Sequence, residues 1–262
     1  MSNIRHTPVA RTMVALLPPG GGVDAHRHDE NQIVYAGRGV LSVTTDTGRW
    51  IAPETRALWI PAGTVHQHRA YGETELRTVG LPAGDNPLGL TAPAVLAVGP
   101  LLRELIRAYT EGYTAEQPRD PADETAEHRR LRAVLIDQLR RASAQPVRLP
   151  TPRDSRLATL CALLDAHPAD NRTLAELGAQ VGAGERTLSR LFRAELGMTF
   201  PQWRTQLRLH HALILLAERT PVTTVAHRCG WASASAFIDV FRATFGHTPG
   251  RLASPREDSD RL

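Results

Sequence analysis

The 262 residues suffice for two domains with cores large enough to fold without staples. No stretch reaches the roughly eighteen apolar residues of a membrane helix, no signal peptide is visible, and the two cysteines, Cys161 and Cys229, lack ligand spacing, so a reduced, cytoplasmic setting is expected. Net charge is only +4, but all 31 cations are arginine, planar forks suited to phosphate or guanine; charge alone does not single out nucleic acid.

The first 80 or so residues read as β structure. Apolar runs such as "QIVYA", "GVLSVTT" and "ALWIPAG" are separated by Gly, Pro and Asp turns. Within this region "VDAHRHDENQIVY" carries His26 and His28, and "PAGTVHQH" carries His66 and His68. Residues two apart share a face of an extended chain, so each pair can aim two imidazoles at one point. The Pro and Gly cluster from Leu81 to Pro93 marks a boundary or an ordered loop.

Two helices are expected next. In "GPLLRELIRAYTEGY", Leu101, Leu102, Leu105, Ile106 and Tyr109 share one face; in "DETAEHRRLRAVLIDQLRRASA", Leu131, Val134, Leu135 and Leu139 do. They either form a dimer interface or cover the open face of the β region, and at least one is expected to serve dimerisation. "QPVRLPTPRD", Gln145 to Asp154, reads as a proline-punctuated linker.

From Asp154 on the chain reads as all-helical, with an internal repeat. "LAELGAQVGAGERTLSRLFRAELGMT" aligns with "VTTVAHRCGWASASAFIDVFRATFGHT". Leu177 matches Val225 and Gly182 matches Gly230. After one extra residue in the second copy, Leu188 matches Phe237, Leu191 Val240, Phe192 Phe241 and Gly197 Gly246. Each copy is a short helix, a turn at glycine, and a longer helix ended by glycine. Thr173 with Glu176 and Thr199 with Gln202 form capping boxes, and Thr220 should start the second short helix. Such a unit is a helix-turn-helix, which lays its second helix in the major groove. In the first copy Leu188, Leu191 and Phe192 face inward, and Arg186, Thr187, Ser189, Arg190 and Arg193 are the candidate DNA contacts. Arg186 and Arg190 are placed to read guanine and Arg193 to meet phosphate. In the second copy Ser233, Ser235 and Arg242 are candidates for backbone contacts and modest base selection, while Asp239 would repel phosphate. Trp203, Leu207, Leu213 and Leu216 line the buried side of the connecting helix.

Residues from about Ser155 to Ala253 resemble the DNA-binding domain of AraC/XylS-family regulators. The likeness rests on "ERTLSRLFRAELGMTFPQWRTQLRLHHALILL" and "VAHRCGWASASAFIDVFRATFGHTPGRL". It implies seven helices with two helix-turn-helix units entering successive major grooves. Gly184 stands where a serine N-cap is usual and Asp239 where a basic residue is common. The N-terminal third resembles a cupin, a small β-barrel, through Gly20, His26, His28, Gln32 and Gly39 and then Pro61, Gly63 and His66, with Ala70 in place of the usual asparagine. That resemblance implies metal ligands at His26, His28 and His66, with Gln32, in place of the family's glutamate, as a possible fourth, and His68 close by. Three imidazoles suit zinc, nickel or copper; the alternative is a polar pocket for an organic effector.

The expected architecture is therefore a two-domain α+β chain. A cupin-type (jelly-roll) sensor barrel spans 1–96, a helical pair 97–145, a linker 146–153, and an all-α domain with two helix-turn-helix units 154–255. The expected function is a sequence-specific, DNA-binding transcription regulator, not an enzyme, whose barrel senses a small molecule or metal. Expected partners are promoter DNA, the effector, a second copy of the chain and RNA polymerase, with no membrane. Two alternatives stand beside it: a metal-dependent cupin enzyme with an accessory DNA-binding domain, against which Gln32 counts, and a barrel that serves only to dimerise.

Overall fold

The computed structural model describes residues 4–117, 125–145 and 148–253. Asp123 and Glu124 of the second expected helix, Pro146 and Val147 of the expected linker, and the last two residues of the expected DNA-binding domain, Ser254 and Pro255, lie outside the described residues. The chain divides into two compact units, residues 1–148 and 149–262.

In the first unit the strands are β1 (Arg5–His6), β2 (Met13–Leu17), β3 (Gly22–Arg27), β4 (Asn31–Thr45), β5 (Gly48–Pro53), β6 (Arg56–Ile60), β7 (His66–Leu81), β8 (Ala94–Ala97) and β9 (Ala144–Gln145), with helices α1 (Pro100–Thr110) and α2 (Ala126–Arg141) before β9. Their hydrogen-bonded path runs β1-β3-β7-β4-β6-β8-β9, with β2 also on β7 and β5 on β4. The path is open rather than closed on itself. The long strands β4 and β7 pair antiparallel, with register shifts on either side of Arg38, and such bulges bend a strand. Gly39 lies there at φ +83°, where a Cβ would stand 2.6 Å from the Glu73 carbonyl oxygen, so only glycine fits.

Strand parity sorts the apolar residues into two cores. Val34, Ala36, Leu41, Val43, Leu58, Ile60 and Ala70 cluster on one side of the sheet. Their neighbours Ile33, Tyr35, Ala57, Trp59, Val79 and Leu81 pack on the other side against Leu102, Leu105, Ile106 and Tyr109 of α1 and Leu135 and Leu139 of α2. The helical pair therefore covers one sheet face. Leu101 and Val134 depart from the expected packing faces, at 55% and 44% exposure. Each sits at the edge of its helix's apolar stripe, and the inner positions already fill the space against the sheet.

The second unit consists of β10 (Leu149–Pro150), α3 (Ser155–Ala166), α4 (Leu174–Gln180), α5 (Glu185–Leu196), α6 (Phe200–Ala217), α7 (Val222–Arg228), α8 (Ala234–Phe245) and α9 (Gly250–Ala253). Among the described residues these are the seven helices that the resemblance implies. The repeat is realised in full: α4 and α7 have seven residues each, α5 and α8 twelve. Both longer helices end at a left-handed glycine, Gly197 at φ 69° and Gly246 at φ 80°.

Both expected capping boxes form. The Thr173 N–H donates to Glu176 at 2.7 Å, and the Thr199 N–H to Gln202 at 2.8 Å. The start of α7 differs from expectation. Its N-cap is Pro221, not Thr220, and no side chain caps it. The linker reading also needs correction: Leu149 is buried in the core formed by Leu157, Leu160, Leu188, Phe192 and Trp203, so its C-terminal half is part of the helical unit.

Candidate metal centre and nucleic-acid interface

The histidine cluster is assembled by two neighbouring strands. β3 and β7 run antiparallel with His26 directly opposite His66. His66 and His68 share parity with Ala70, an inner-core residue, so both imidazoles point inward. Gln32 shares parity with Val34 and Ala36 and faces the same interior. His26, His28, His66 and His68 are all buried. Ring centroids are 4.3 Å apart for His26–His66, 5.0 Å for both His28–His66 and His66–His68, and 5.6 Å for His26–His68.

Backbone carbonyls set the ring tautomers. His26 Nδ1 lies 2.8 Å from the Asp24 oxygen, His28 Nδ1 2.6 Å from that of Glu30, and His66 Nδ1 2.9 Å from that of Thr64. A carbonyl only accepts, so Nδ1 carries the proton and Nε2 keeps its lone pair. The Nε2 atoms of His28 and His66, both nitrogens of His68 and the Gln32 Oε1 are buried without a hydrogen-bond partner. Burial pushes the His66 pKa down to about 3 and those of His26 and His68 below the ordinary imidazole value. Neighbouring imidazoles add to the lowering at all three. These three rings are neutral near pH 7, the state that binds metal.

The donor set fits a metal ion. Ligand nitrogens of His26, His66 and His68 lie within 4.8 Å of one another. Zinc–imidazole bonds of about 2.0–2.1 Å place tetrahedral nitrogens roughly 3.3 Å apart, so inward movement of the rings would let these three nitrogens hold an ion with a further position left open. The trio differs from the expected His26, His28 and His66. His28 lies outside that 4.8 Å group, though its Nε2 is also buried without a partner and its ring centroid is 5.0 Å from that of His66, and His68 stands inside it.

On α5, Leu188, Phe192 and Leu196 are buried, and Arg186, Arg190 and Arg193 are exposed. Thr187, Ser189 and Leu191 are half-buried. Gly184 is the N-cap and offers no side-chain bond, as its sequence identity implies. On α8, Phe237, Phe241 and Phe245 are buried, and Ser233, Ser235 and Arg242 are exposed. The Ser233 hydroxyl caps α8 by accepting the Ala236 N–H, and Arg242 pairs with Asp239 at 3.3 Å. The second helices of the two units thus differ in charge: α5 presents three arginines to solvent, α8 one arginine next to a carboxylate.

Two contacts went unread in the sequence. Glu195 on α5 accepts the Arg153 and Asp154 N–H groups at 2.7 and 3.1 Å, tying the first reader to the segment entering the unit. Arg208 on α6 is buried among polar groups. Its signal was a charged residue between the apolar positions Leu207 and Leu209, both buried.

Comparison with known proteins decides the family. A helix-turn-helix domain family matches residues 177–254, and a cupin domain family matches residues 13–81. The HTH-type transcriptional regulator NimR of Escherichia coli (strain K12) is 32% identical over 229 residues, 86% of this chain and 80% of that protein. This chain belongs to the AraC family of transcription regulators. The arabinose operon regulatory protein of the same strain is 32% identical over 128 residues, 47% of this chain and 44% of its own length. Among solved structures, the DNA-binding domain of AdpA in complex with a target DNA is 31% identical, covering 37% of this chain and 89% of that chain, with a TM-score of 0.35. The AraC-family chain thus joins a cupin domain to a DNA-binding, double helix-turn-helix domain, and no helix among its described residues is long and apolar enough to cross a membrane.

Proposed function

We propose that this AraC-family protein is a cytoplasmic, homodimeric regulator whose cupin domain senses a transition-metal ion or a small molecule and changes how α5 and α8 meet a promoter. The observation that carries the sensing half is the set of orphaned lone pairs at His66 and His68, beside His26, in a buried interior. A buried polar atom without a partner is costly, and a bound ion relieves it. With neutral nitrogen donors and no carboxylate in the group, the site favours zinc, nickel or copper over magnesium or calcium.

On the DNA side, Arg186 and Arg190 read base edges, Arg193 meets phosphate, and Ser233, Ser235 and Arg242 supply backbone contacts from the second unit. Glu195 supports coupling, because displacement of residues 153–154 pulls directly on the first reader helix. Leu101 and Val134, exposed on α1 and α2, support a two-fold contact between copies. RNA polymerase is the further partner of such a regulator.

The test is direct. Zinc, nickel or copper is added to metal-stripped full-length protein, and affinity for a bound promoter fragment and oligomeric state are followed. The proposal expects at least one metal to change one of them, and His66→Gln with His68→Gln to abolish the change. No effect of any metal or of a metabolite panel would remove the sensing role.

A further inference from the structure

The buried Arg208 stands at a three-way junction within the DNA-binding unit. Its Nε donates to the Pro168 carbonyl at 3.0 Å. Its Nη2 donates to the Asp170 carbonyl at 3.0 Å and to Asn171 Oδ1 at 2.9 Å. These acceptors lie in the loop that delivers the chain to α4, the first helix of the first unit. Arg208 itself sits on α6, the helix connecting the two units. The third party is the turn of the second unit. Gly230, at φ +78°, lies so close that a Cβ there would stand 2.7 Å from Arg208 Nη2 and 2.8 Å from the Ala169 Cα.

One guanidinium therefore bonds the connecting helix to the entry of the first unit and lies directly against the turn before the second reader helix. A planar fork satisfying three acceptors at once holds its neighbours in one orientation. Within the same loop Asp170 pairs with Arg172 at 2.5 Å, and Arg204 of α6 donates to the Arg172 carbonyl at 2.9 Å, so the loop that Arg208 grips is held at a second point.

We propose that Arg208 is a positioning residue that sets the separation of α5 and α8, and so the spacing between the two base-pair blocks that the protein accepts. The inference rests on both units reading DNA. Inserting one base pair between the blocks moves the second by about 3.4 Å along the axis and about a tenth of a turn around it. A rigid pair of readers cannot follow that movement, and a loosened pair can.

The experiment begins by selecting binding sites from a random duplex library with the full-length protein. The selected site is then remade with one base pair inserted or deleted between its two blocks. Wild-type protein is expected to lose about tenfold or more in affinity at either altered spacing. Arg208→Met is expected to bind the selected spacing more weakly and to discriminate among the three by less than about threefold. Asn171→Ala removes a single acceptor and should shift the ratio in the same direction by less. Thermal melting accompanies each variant, since loss of a purely stabilising arginine would lower the melting temperature and leave the spacing ratio intact.

A folded Arg208→Met with the wild-type ratio overturns the inference alone. If Arg208→Met does not fold, Asn171→Ala with the wild-type ratio overturns it equally. A selection that returns one block, or a wild-type protein indifferent to spacing, overturns the two-reader account and this inference with it.

Discussion

At the scale of single residues, the histidine cluster makes a prediction about acid. His26, His66 and His68 have pKa values below the ordinary imidazole value in the folded protein. Unfolded, each returns to about 6.5. Below that pH the unfolded chain binds more protons than the folded one, so stability falls as pH falls. The loss begins near pH 6.5 and continues towards about 3, where His66 itself protonates in place. Thermal melting in chelator should show a lower midpoint at about pH 5 than at about pH 7.5, and His66→Gln should shrink the difference. Equal midpoints would show that the rings protonate without cost. The same cluster separates His68 from His28. His68→Gln should weaken zinc, nickel or copper binding by about tenfold or more, measured by calorimetry, and His28→Gln by less. The reverse order would restore the ligand trio read from the sequence.

At the scale of elements, α5 carries the sharpest expectations. Arg186→Ala or Arg190→Ala should cost about 1–3 kcal/mol on a specific site and relax selection at one base pair. Arg193→Ala should weaken all duplexes alike and reduce the salt slope by about one. Equal losses on specific and random DNA for all three would mean that the helix presents a different face. The bare N-cap at Gly184 also has a consequence: Gly184→Ser should stabilise the helical unit by a few tenths of a kcal/mol, visible as a raised denaturant midpoint.

Most of these elements were legible in the chain because each obeys a local rule. Apolar runs between Gly, Pro and Asp turns pointed to the strands, the 48-residue offset between Gly182 and Gly230 to the doubled unit, and Thr173 and Thr199 to two helix starts. What escaped depends on contacts distant in sequence. Leu149 reads as linker because nothing local shows that the α5 core receives it. Leu101 and Val134 satisfy helical periodicity but lie outside what the sheet can cover. His28 fits a ligand motif, and only the fold shows that His68, not His28, has a ligand nitrogen within 4.8 Å of those of His26 and His66. The partners of Arg208 lie 37 to 40 residues away, beyond any helical pattern.

At the scale of the whole molecule, the chain places a buried, carboxylate-free nitrogen cluster in one unit and an asymmetric pair of readers in the other. That asymmetry supports the proposed division, with base reading mainly by α5 and anchoring mainly by α8. The proposed division of labour holds only if the protein distinguishes sequences. The decisive measurement is competition binding of the full-length protein to a footprinted promoter fragment against a scrambled duplex of equal length, at moderate ionic strength, with and without metal. The account predicts a preference of about a thousandfold or more for the promoter fragment in at least one state. Equal affinity for both duplexes in every state would contradict it.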